Sequence, residues 1–334
     1  MLKLSILDQS TAATDQDEGQ SIRDTILLAQ LSEQLDYNRF WVSEHHNHPT
    51  IVGSAPEIIM AAIGQATTRI RIGSAGVMLP HYAPLKVAEQ FRVLESIAPG
   101  RIDLGIGRAP GSDGKTAYAL NPSAHTDAEH FPANVRDLMA WVSGQQLIKG
   151  HPFNDLKAHP VGETSPEVWM LGTSAYGAQI AAHYGIPYCF AHFITDGRGV
   201  KQALDLYRES FSPSERYPKP KTNVCVWALA GETEAEAFRI FSSRAHWKIK
   251  RDQGILGKIE SPEKLAQEKY SKTEKKQLED LQQSSIVGSS EQVKSKLHNL
   301  SNEYGVEEIS ILTWTHDQND KRRSYELIAE TYKE

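Results

Sequence analysis

The chain has 334 residues, 40% of them apolar, and a formal net charge of -6. This composition supports a sizeable core, and the negative charge argues against a nucleic-acid partner, which favours a basic surface. No stretch approaches the ~20 apolar residues of a membrane span, and the apolar start is too short for a signal peptide. We therefore expect a cytoplasmic protein with no membrane partner. The two cysteines, Cys189 and Cys225, lie in apolar runs, which predicts buried, reduced thiols.

Short apolar runs alternate with helical patterns along almost the whole chain. The predicted strands lie at residues 2–7, 39–42, 70–77, 102–106, 168–171, 187–191, 222–230 and 308–313. Helical patterns separate them, and Ser21, Ser54 and Thr233 are predicted to begin three of these helices as capping residues. Eight strands alternating with helices predict a parallel sheet with right-handed crossovers. The number eight favours a closed (β/α)8 barrel, an α/β fold forming a single domain over residues 1–334, rather than an open doubly wound sheet.

Two insertions interrupt this repeat, after strands four and seven. Residues 107–125 form a longer loop than the other units have. Residues 248–285 are rich in Lys, Glu and Gln, and this composition favours a solvated helical insertion over a mobile lid.

The second strand runs directly into a carboxylate and three histidines, Glu44, His45, His46 and His48. In a barrel the C-terminal strand ends form the site, so His45 is well placed as a general base or hydrogen-bond donor. A metal site is the rival interpretation. Adjacent residues on an extended chain point in opposite directions, however, so His45 and His46 are not expected to share one metal. For His46 and His48 we expect hydrogen bonds to loop backbone.

Three later strand ends could share this pocket. Small residues at 73–76 would let a flat ligand approach the backbone, or simply allow tight packing or a bulge. Residues 105–111 resemble a dinucleotide fingerprint only superficially, because Pro110 takes the third glycine position and no helix begins there. Arg108 is better interpreted as an anion clamp, because its forked donors suit phosphate.

The turn at residues 172–177 joins strand five to its helix. Its small and hydroxyl-bearing residues are typical of a phosphate site at a helix start. The alternative is an ordinary cap in which Ser174 satisfies the first turn. Because Arg108 comes from the neighbouring strand, the two features together favour one phosphate site.

Taken together, residues 40–46, 73–80, 99–108, 171–177 and 285–293 resemble the luciferase-like monooxygenase superfamily, flavin-dependent barrel proteins related to bacterial luciferase. The resemblance covers nearly the whole chain and is closest to single-chain bacterial members. It implies an FMN across the barrel mouth and a cis peptide between Ala75 and Gly76 beneath the flavin ring. The luciferase catalytic histidine aligns with His45, and Glu44 is expected to support it. The residues implied in phosphate binding are Arg108, Thr173, Ser174, Ala175, Tyr176 and Gly177.

The resemblance also implies an activity. Reduced FMN and O2 would oxidise a small organic substrate, with the reduced flavin supplied by a separate NAD(P)H:flavin reductase. A homodimer is expected, and residues 248–285 fall where luciferase has a mobile loop, which now favours a lid. Departures from the family pattern at Gly107 and Gly177 leave the substrate open. The alternatives are F420-dependent hydride transfer on the same barrel and a non-catalytic flavin-binding protein. No metal is expected.

Overall fold

The computed structural model of the chain describes residues 2–109, 111–123 and 129–333, so Pro110 and the end of the predicted 107–125 loop lie outside the described residues. Its strands are β1 (Lys3–Asp8), β2 (Arg39–Val42), β3 (Arg71–Ser74), β4 (Val77–Met78), β5 (Ile102–Gly107), β6 (Glu167–Gly172), β7 (Tyr188–Ala191), β8 (Thr222–Gly231), β9 (Ile286–Ser289) and β10 (Glu308–Leu312).

The helices lie between these strands. They are α1 (Glu18–Gln34), α2 (Pro56–Ala66), α3 (Pro84–Ile97), α4 (Gly114–Leu120), α5 (Phe131–Ser143), α6 (Ala175–Tyr184), α7 (His192–Thr195), α8 (Val200–Glu209), α9 (Glu234–Asp252), α10 (Pro262–Leu265), α11 (Lys272–Ser284), α12 (Ser290–Tyr304) and α13 (Gln318–Lys333), with a short 3-10 turn at Leu79–His81. None of the helices in the three described ranges is long and apolar enough to cross a membrane.

Eight strands close into a parallel barrel in the order β1, β2, β3, β5, β6, β7, β8 and β10. The barrel closes because β10 pairs with β8 on one side, with Ile309 opposite Val224, and with β1 on the other, with Glu308 opposite Lys3. Apolar side chains of the strands and surrounding helices form one large core and two smaller separate clusters. The predicted (β/α)8 barrel is confirmed.

A buried charged network fills the barrel interior near the N-terminal strand ends. Arg39 Nη1 lies 2.6 Å from Asp103 Oδ2, and Arg39 Nε lies 2.9 Å from Glu308 Oε1. The indole N–H of Trp41 donates to the same Asp103 oxygen at 2.9 Å. Because these groups satisfy one another, this end of the barrel is closed, and space for a ligand lies toward the C-terminal strand ends.

The third barrel strand is interrupted by a cis peptide between Ala75 and Gly76, as the resemblance predicted. β3 ends at Ser74, and β4 resumes beside β5 two residues later. The backbones of these strands are very close, since a Cβ atom on Gly105 would lie 2.0 Å from the carbonyl oxygen of Ser74. Glycine is therefore required at Gly105 for the two backbones to approach.

The two insertions carry structure of their own. α4 lies in the first. In the second, α9 continues to Asp252, and its Lys248 and Ile249 are buried. Ile259 is also fully buried and bridges to Ala13 near the start of the chain. α11, by contrast, contains no buried residue, so the insertion has a packed first part and a solvated last helix.

The sequence did not predict β9, which extends the sheet beyond the barrel beside β8, with Ile286 opposite Ala228. Only Ile286 and Val287 of its four residues are large and apolar, which is too short an apolar run to predict a strand. Ser289 then begins α12 with a capping box that includes Gln292.

Candidate active site

A cavity of about 450 Å³ lies at the C-terminal ends of the barrel strands. Side chains from several strand ends converge there, as the barrel geometry requires. The predicted site residues that line it are Glu44, His45, Ala75, Gly76, Arg108, Thr173, Ser174, Tyr176 and Gly177. Ala175, the exposed first residue of α6, is the predicted site residue that does not line the cavity.

The buried carboxylate of Glu44 organises the loop after β2. Its Oε1 accepts a hydrogen bond from Tyr82 Oη at 2.7 Å and lies 2.8 Å from His46 Nε2, while its Oε2 accepts the backbone N–H of Met78 at 3.1 Å. Glu44 therefore pairs directly with His46, and any support it gives to His45 comes through the loop that they share. Neighbouring side chains on an extended segment point to opposite sides, whereas side chains two apart share a side, so Glu44 pairs with His46.

His45 lines the cavity from the same loop. Its backbone N–H donates to the carbonyl of Gly53 at 3.2 Å, and its ring lies edge-on to that of His48, with centroids 6.0 Å apart. Burial, and then the charges of His48 and His46, lower the pKa of His45 to about 4. Its Nδ1 is buried and has no hydrogen-bond partner among the described residues. At neutral pH the ring is therefore uncharged, and His45 lines the cavity.

The three histidines occupy three different environments. His48 Nδ1 accepts the backbone N–H groups of Thr50 at 3.1 Å and Ile51 at 3.0 Å, as predicted. The ring of His46 instead pairs with Glu44, so the prediction of a loop-backbone partner is wrong for it. Within the described ranges, no group of three or more His, Cys, Asp or Glu residues is arranged to hold a metal ion.

Arg108 and the turn before α6 meet at one end of the cavity. Arg108 follows β5 and is exposed, and its guanidinium carbon lies 4.1 Å from the centre of the Tyr176 ring. This cation–π contact orients the guanidinium beside the start of α6. The structure thus brings together the two features that the sequence placed on neighbouring strands.

The start of α6 is open. Ser174 is its N-terminal capping residue, with an extended backbone (φ -142, ψ 162), but its side chain makes no capping hydrogen bond. A serine at this position usually accepts an N–H of the first turn, so here the hydroxyl is left for another partner. The unpaired N–H groups and the helix dipole favour an anion at this point, beside the cation of Arg108.

The wall of the cavity at the cis peptide is backbone without side chains. A Cβ atom on Gly76 would lie 2.6 Å from Leu171 Cδ1 and 2.9 Å from the carbonyl oxygen of Gly105. Nothing larger than glycine fits here without a shift of backbone. Glycine at this position is therefore required for close packing against β5, and at Gly76 the wall of the cavity consists of backbone alone.

Sequence reasoning missed an aromatic wall. Four of the six tryptophans line the cavity: Trp41, Trp227, Trp247 and Trp314. The rings of Trp247 and Trp314 lie edge-to-face with centroids 4.6 Å apart, and those of Trp227 and Trp314 lie 6.1 Å apart. The available signal was alternation along β8, where Cys225 and Trp227 are two residues apart and both line the cavity. Cys225 and Cys189 are free and buried, as predicted.

Two basic residues of α9 also line the cavity and were missed. Arg244 is buried, and its guanidinium carbon lies 4.2 Å from the centre of the Trp227 ring. Arg251 lies two turns later, partly exposed, and pairs with Asp252 at 2.7 Å. Nothing in the local sequence marks either residue, because a basic residue on a surface helix is ordinarily solvated.

Comparisons with known proteins agree with this geometry. The sequence profile of the family described as luciferase-like monooxygenase matches residues 2–308. The uncharacterized protein YwcH of Bacillus subtilis (strain 168) is 42% identical over 333 residues, which cover 99% of each chain. The luciferase-like monooxygenase of Escherichia coli (strain K12) is 34% identical and covers 100% of this chain and 98% of its own. The N-acetyl-S-alkylcysteine monooxygenase of B. subtilis is 33% identical, covering 99% of this chain and 98% of its own.

Solved structures share the barrel. The structure of apo-MsnO8 has a TM-score of 0.87 and 33% identity, and it covers 99% of this chain and 98% of its own. Two more distant structures are alike in fold alone. One is the oxygenating constituent of 3,6-diketocamphane monooxygenase from the CAM plasmid of Pseudomonas putida with FMN (17% identity, TM-score 0.72, covering 99% and 98%). The other is an F420-dependent secondary alcohol dehydrogenase with an F420–acetone adduct (15% identity, TM-score 0.68, covering 98% and 97%).

Proposed function

The chain belongs to the luciferase-like monooxygenase family, and from that premise we propose that it uses reduced FMN and O2 to oxidise a small organic substrate. The observation that carries this proposal is the meeting of Arg108 with the open start of α6, in a cavity that has a bare backbone wall. Bound there, reduced FMN would supply the electrons with which O2 is activated.

The residues at this end of the cavity suit a phosphate group. Arg108 supplies a forked cation, which Tyr176 holds in place by stacking. Ser174 supplies a hydroxyl that no helix cap uses, and the first turn of α6 supplies backbone N–H groups. We assign phosphate binding to Arg108, Thr173, Ser174 and the backbone of Ala175, Tyr176 and Gly177.

We propose that Ala75 and Gly76 support the flavin ring. The cis peptide joins these two residues, and Gly76, which has no side chain, leaves its backbone bare. Leu171 lines the same part of the cavity. A flat aromatic ring could lie directly against the backbone at Gly76.

We propose His45 as the catalytic proton-handling residue. Because its ring is neutral at neutral pH and lines the cavity, it has one nitrogen that can accept a proton and one N–H that can donate a hydrogen bond. Glu44, which the sequence suggested as catalytic, is assigned a positioning role instead. Its bonds to Tyr82 and to the backbone of Met78 hold the loop that carries His45.

The family resemblance supports further proposals about flavin supply, assembly and cellular location. We propose that a separate NAD(P)H:flavin reductase supplies the reduced flavin, that two chains form a homodimer, and that the protein acts in the cytoplasm. We also propose that residues 248–285 serve as a lid, hinged on the packed segment around Ile259 and ending in the solvated helix α11.

Parallel titrations of the purified protein with FMN and F420 test the cofactor. Quenching of flavin or deazaflavin fluorescence reports binding, and we expect FMN to bind more tightly. Rapid mixing of the protein and reduced FMN with O2 then tests the reaction, and the absorbance should follow a time course different from that of free reduced FMN. Tighter binding of F420, with no effect of the protein on flavin reoxidation, would show that the hydride-transfer alternative is right.

A further inference from the structure

Arg244 is a buried cation whose partner is missing. The residue is 5% exposed and lines the cavity, and its guanidinium carbon lies 4.2 Å from the centre of the Trp227 ring and 6.0 Å from that of Phe241. Its Nε is buried with no hydrogen-bond partner among the described residues. Burial lowers the pKa of Arg244 to about 10, so the side chain is still charged at neutral pH. A buried charge without a partner is rare in proteins and calls for a physical reason.

The neighbouring acidic groups are already in use. Asp196 binds Lys248 through both carboxylate oxygens, each 2.6 Å from the Lys248 ammonium. Asp252 pairs with Arg251. No ion pair between Arg244 and an acidic side chain occurs within the described parts of the chain.

A second unpaired donor belongs to the same cluster of side chains. The indole Nε1 of Trp314 is buried without a hydrogen-bond partner among the residues that the structure covers. Its ring packs edge-to-face against Trp227, the ring on which Arg244 stacks. A buried tryptophan N–H usually finds an acceptor, so two donors around Trp227 lack one.

We propose that a carboxylate group of the substrate is the missing acceptor for Arg244 and Trp314, and that the aromatic wall binds an apolar body attached to it. This inference rests on the proposed function, because it assigns a substrate class to the same cavity. A planar carboxylate matches the fork of a guanidinium, and a charge-assisted bond formed away from water is strong. The rings of Trp41, Trp247 and Trp314 would cover the apolar part.

This carboxylate site is distinct from the phosphate site. Arg108 follows the fourth barrel strand, whereas Arg244 lies on the helix after the seventh. Arg108 is exposed beside the open end of α6, whereas Arg244 is buried beneath the aromatic wall. Arg251 also lines the cavity but pairs with Asp252, which leaves Arg108 for an anionic group of the cofactor and Arg244 for one of the substrate.

Matched probes test this inference. 3-Phenylpropanoate and its neutral amide share one apolar body, and calorimetry or tryptophan fluorescence measures their binding to the FMN-loaded protein and to the protein without FMN. We expect the acid to bind about tenfold more tightly than the amide. Arg244→Gln should abolish this preference, and Trp314→Phe should reduce it. Neither change should alter the FMN dissociation constant by more than about twofold.

Arg239→Gln is the matched control, since Arg239 lies on the same helix, is exposed, and does not line the cavity. It should keep the full preference for the acid. Arg244→Lys retains the charge and should keep part of it, which guards against a Gln variant that fails to fold. Equal binding of acid and amide by the wild-type protein would refute the inference, as would a preference that survives Arg244→Gln. Tighter binding of 3-phenylpropanesulfonate would replace carboxylate by sulfonate and also overturn it. A failure of FMN to bind would instead refute the proposed function. The carboxylate inference would still be tested in that case, because the probes are also measured without FMN.

Discussion

Two arginines of the cavity each stack on an aromatic ring, but their surroundings are opposite. Arg108 stacks on Tyr176 at 4.1 Å, and Arg244 stacks on Trp227 at 4.2 Å. The first pair lies at the exposed end, beside an open helix start, whereas the guanidinium of the second is buried among aromatic rings. Water satisfies an exposed cation until a ligand arrives, but a buried one must find its partner inside the protein or in the ligand.

The difference in burial also changes the pKa values of groups in the pocket. Burial lowers the pKa of Arg244 to about 10 and, in the loop after β2, that of His45 to about 4. At neutral pH Arg244 is therefore charged and His45 is neutral. The ring of His45 contacts His48, which in turn lies beside Trp247 of the aromatic wall. His45 therefore belongs to the buried surroundings, although it is close in sequence to exposed loop residues.

The largest expected effect comes from removing the exposed cation. Arg108→Gln should weaken FMN binding by about 10- to 100-fold, because a charge-assisted contact to the phosphate is lost. Riboflavin, which lacks the phosphate, should bind the variant and the wild-type protein equally, and flavin fluorescence titrations measure both. Arg239→Gln serves as the control. Equal losses for FMN and riboflavin would mean that Arg108 acts on the ring or on the fold, not on phosphate.

A second, smaller effect concerns pH and the buried surroundings. The pKa of His45 falls from 6.5 to about 4 on folding. Between these values the unfolded chain binds more protons than the native protein, so stability falls as the pH drops through this window. His45→Gln removes this proton linkage. Between pH 7 and pH 4, the free energy of unfolding of the wild-type protein should therefore fall by on the order of 2 kcal/mol more than that of the variant.

Urea unfolding at a series of pH values measures this difference. Parallel curves for the wild-type protein and His45→Gln would place His45 among solvated residues and remove it from the buried end.

The smallest effect separates a ligand contact from a helix cap. Ser174→Ala should weaken FMN binding by about 2- to 10-fold while leaving the melting temperature unchanged, because the Ser174 side chain makes no capping bond. Thr233→Ala is the matched control, since Thr233 does cap α9 by accepting the N–H of Glu236 at 3.2 Å. That variant should lose ~1 kcal/mol of stability and keep its FMN affinity. A drop in melting temperature for Ser174→Ala would make Ser174 an ordinary cap.

Local sequence signals succeeded where one interaction dominates. Thr233 caps its helix as predicted. Each of the eight predicted strands overlaps one strand of the barrel. Ser21 failed as a capping residue, because α1 begins earlier, at Glu18, with Asp17 accepting the N–H of Gln20. Several side chains in that stretch are able to cap, and the helix lengthens to the one that satisfies its first turn. β9 was missed because its apolar run is only two residues long, Ile286 and Val287.

By itself, the sequence determined the barrel and the four strand ends of the pocket, and it predicted that Arg108 and the Ser174 turn would lie together. These features depend on short-range pattern and on the rule that parallel strand ends meet at one edge. Only the tertiary structure decided that Glu44 pairs with His46 and that Arg244 is buried against Trp227. Those outcomes depend on which residues from distant segments enclose a side chain and exclude water from it, and no local pattern of residue types specifies that enclosure.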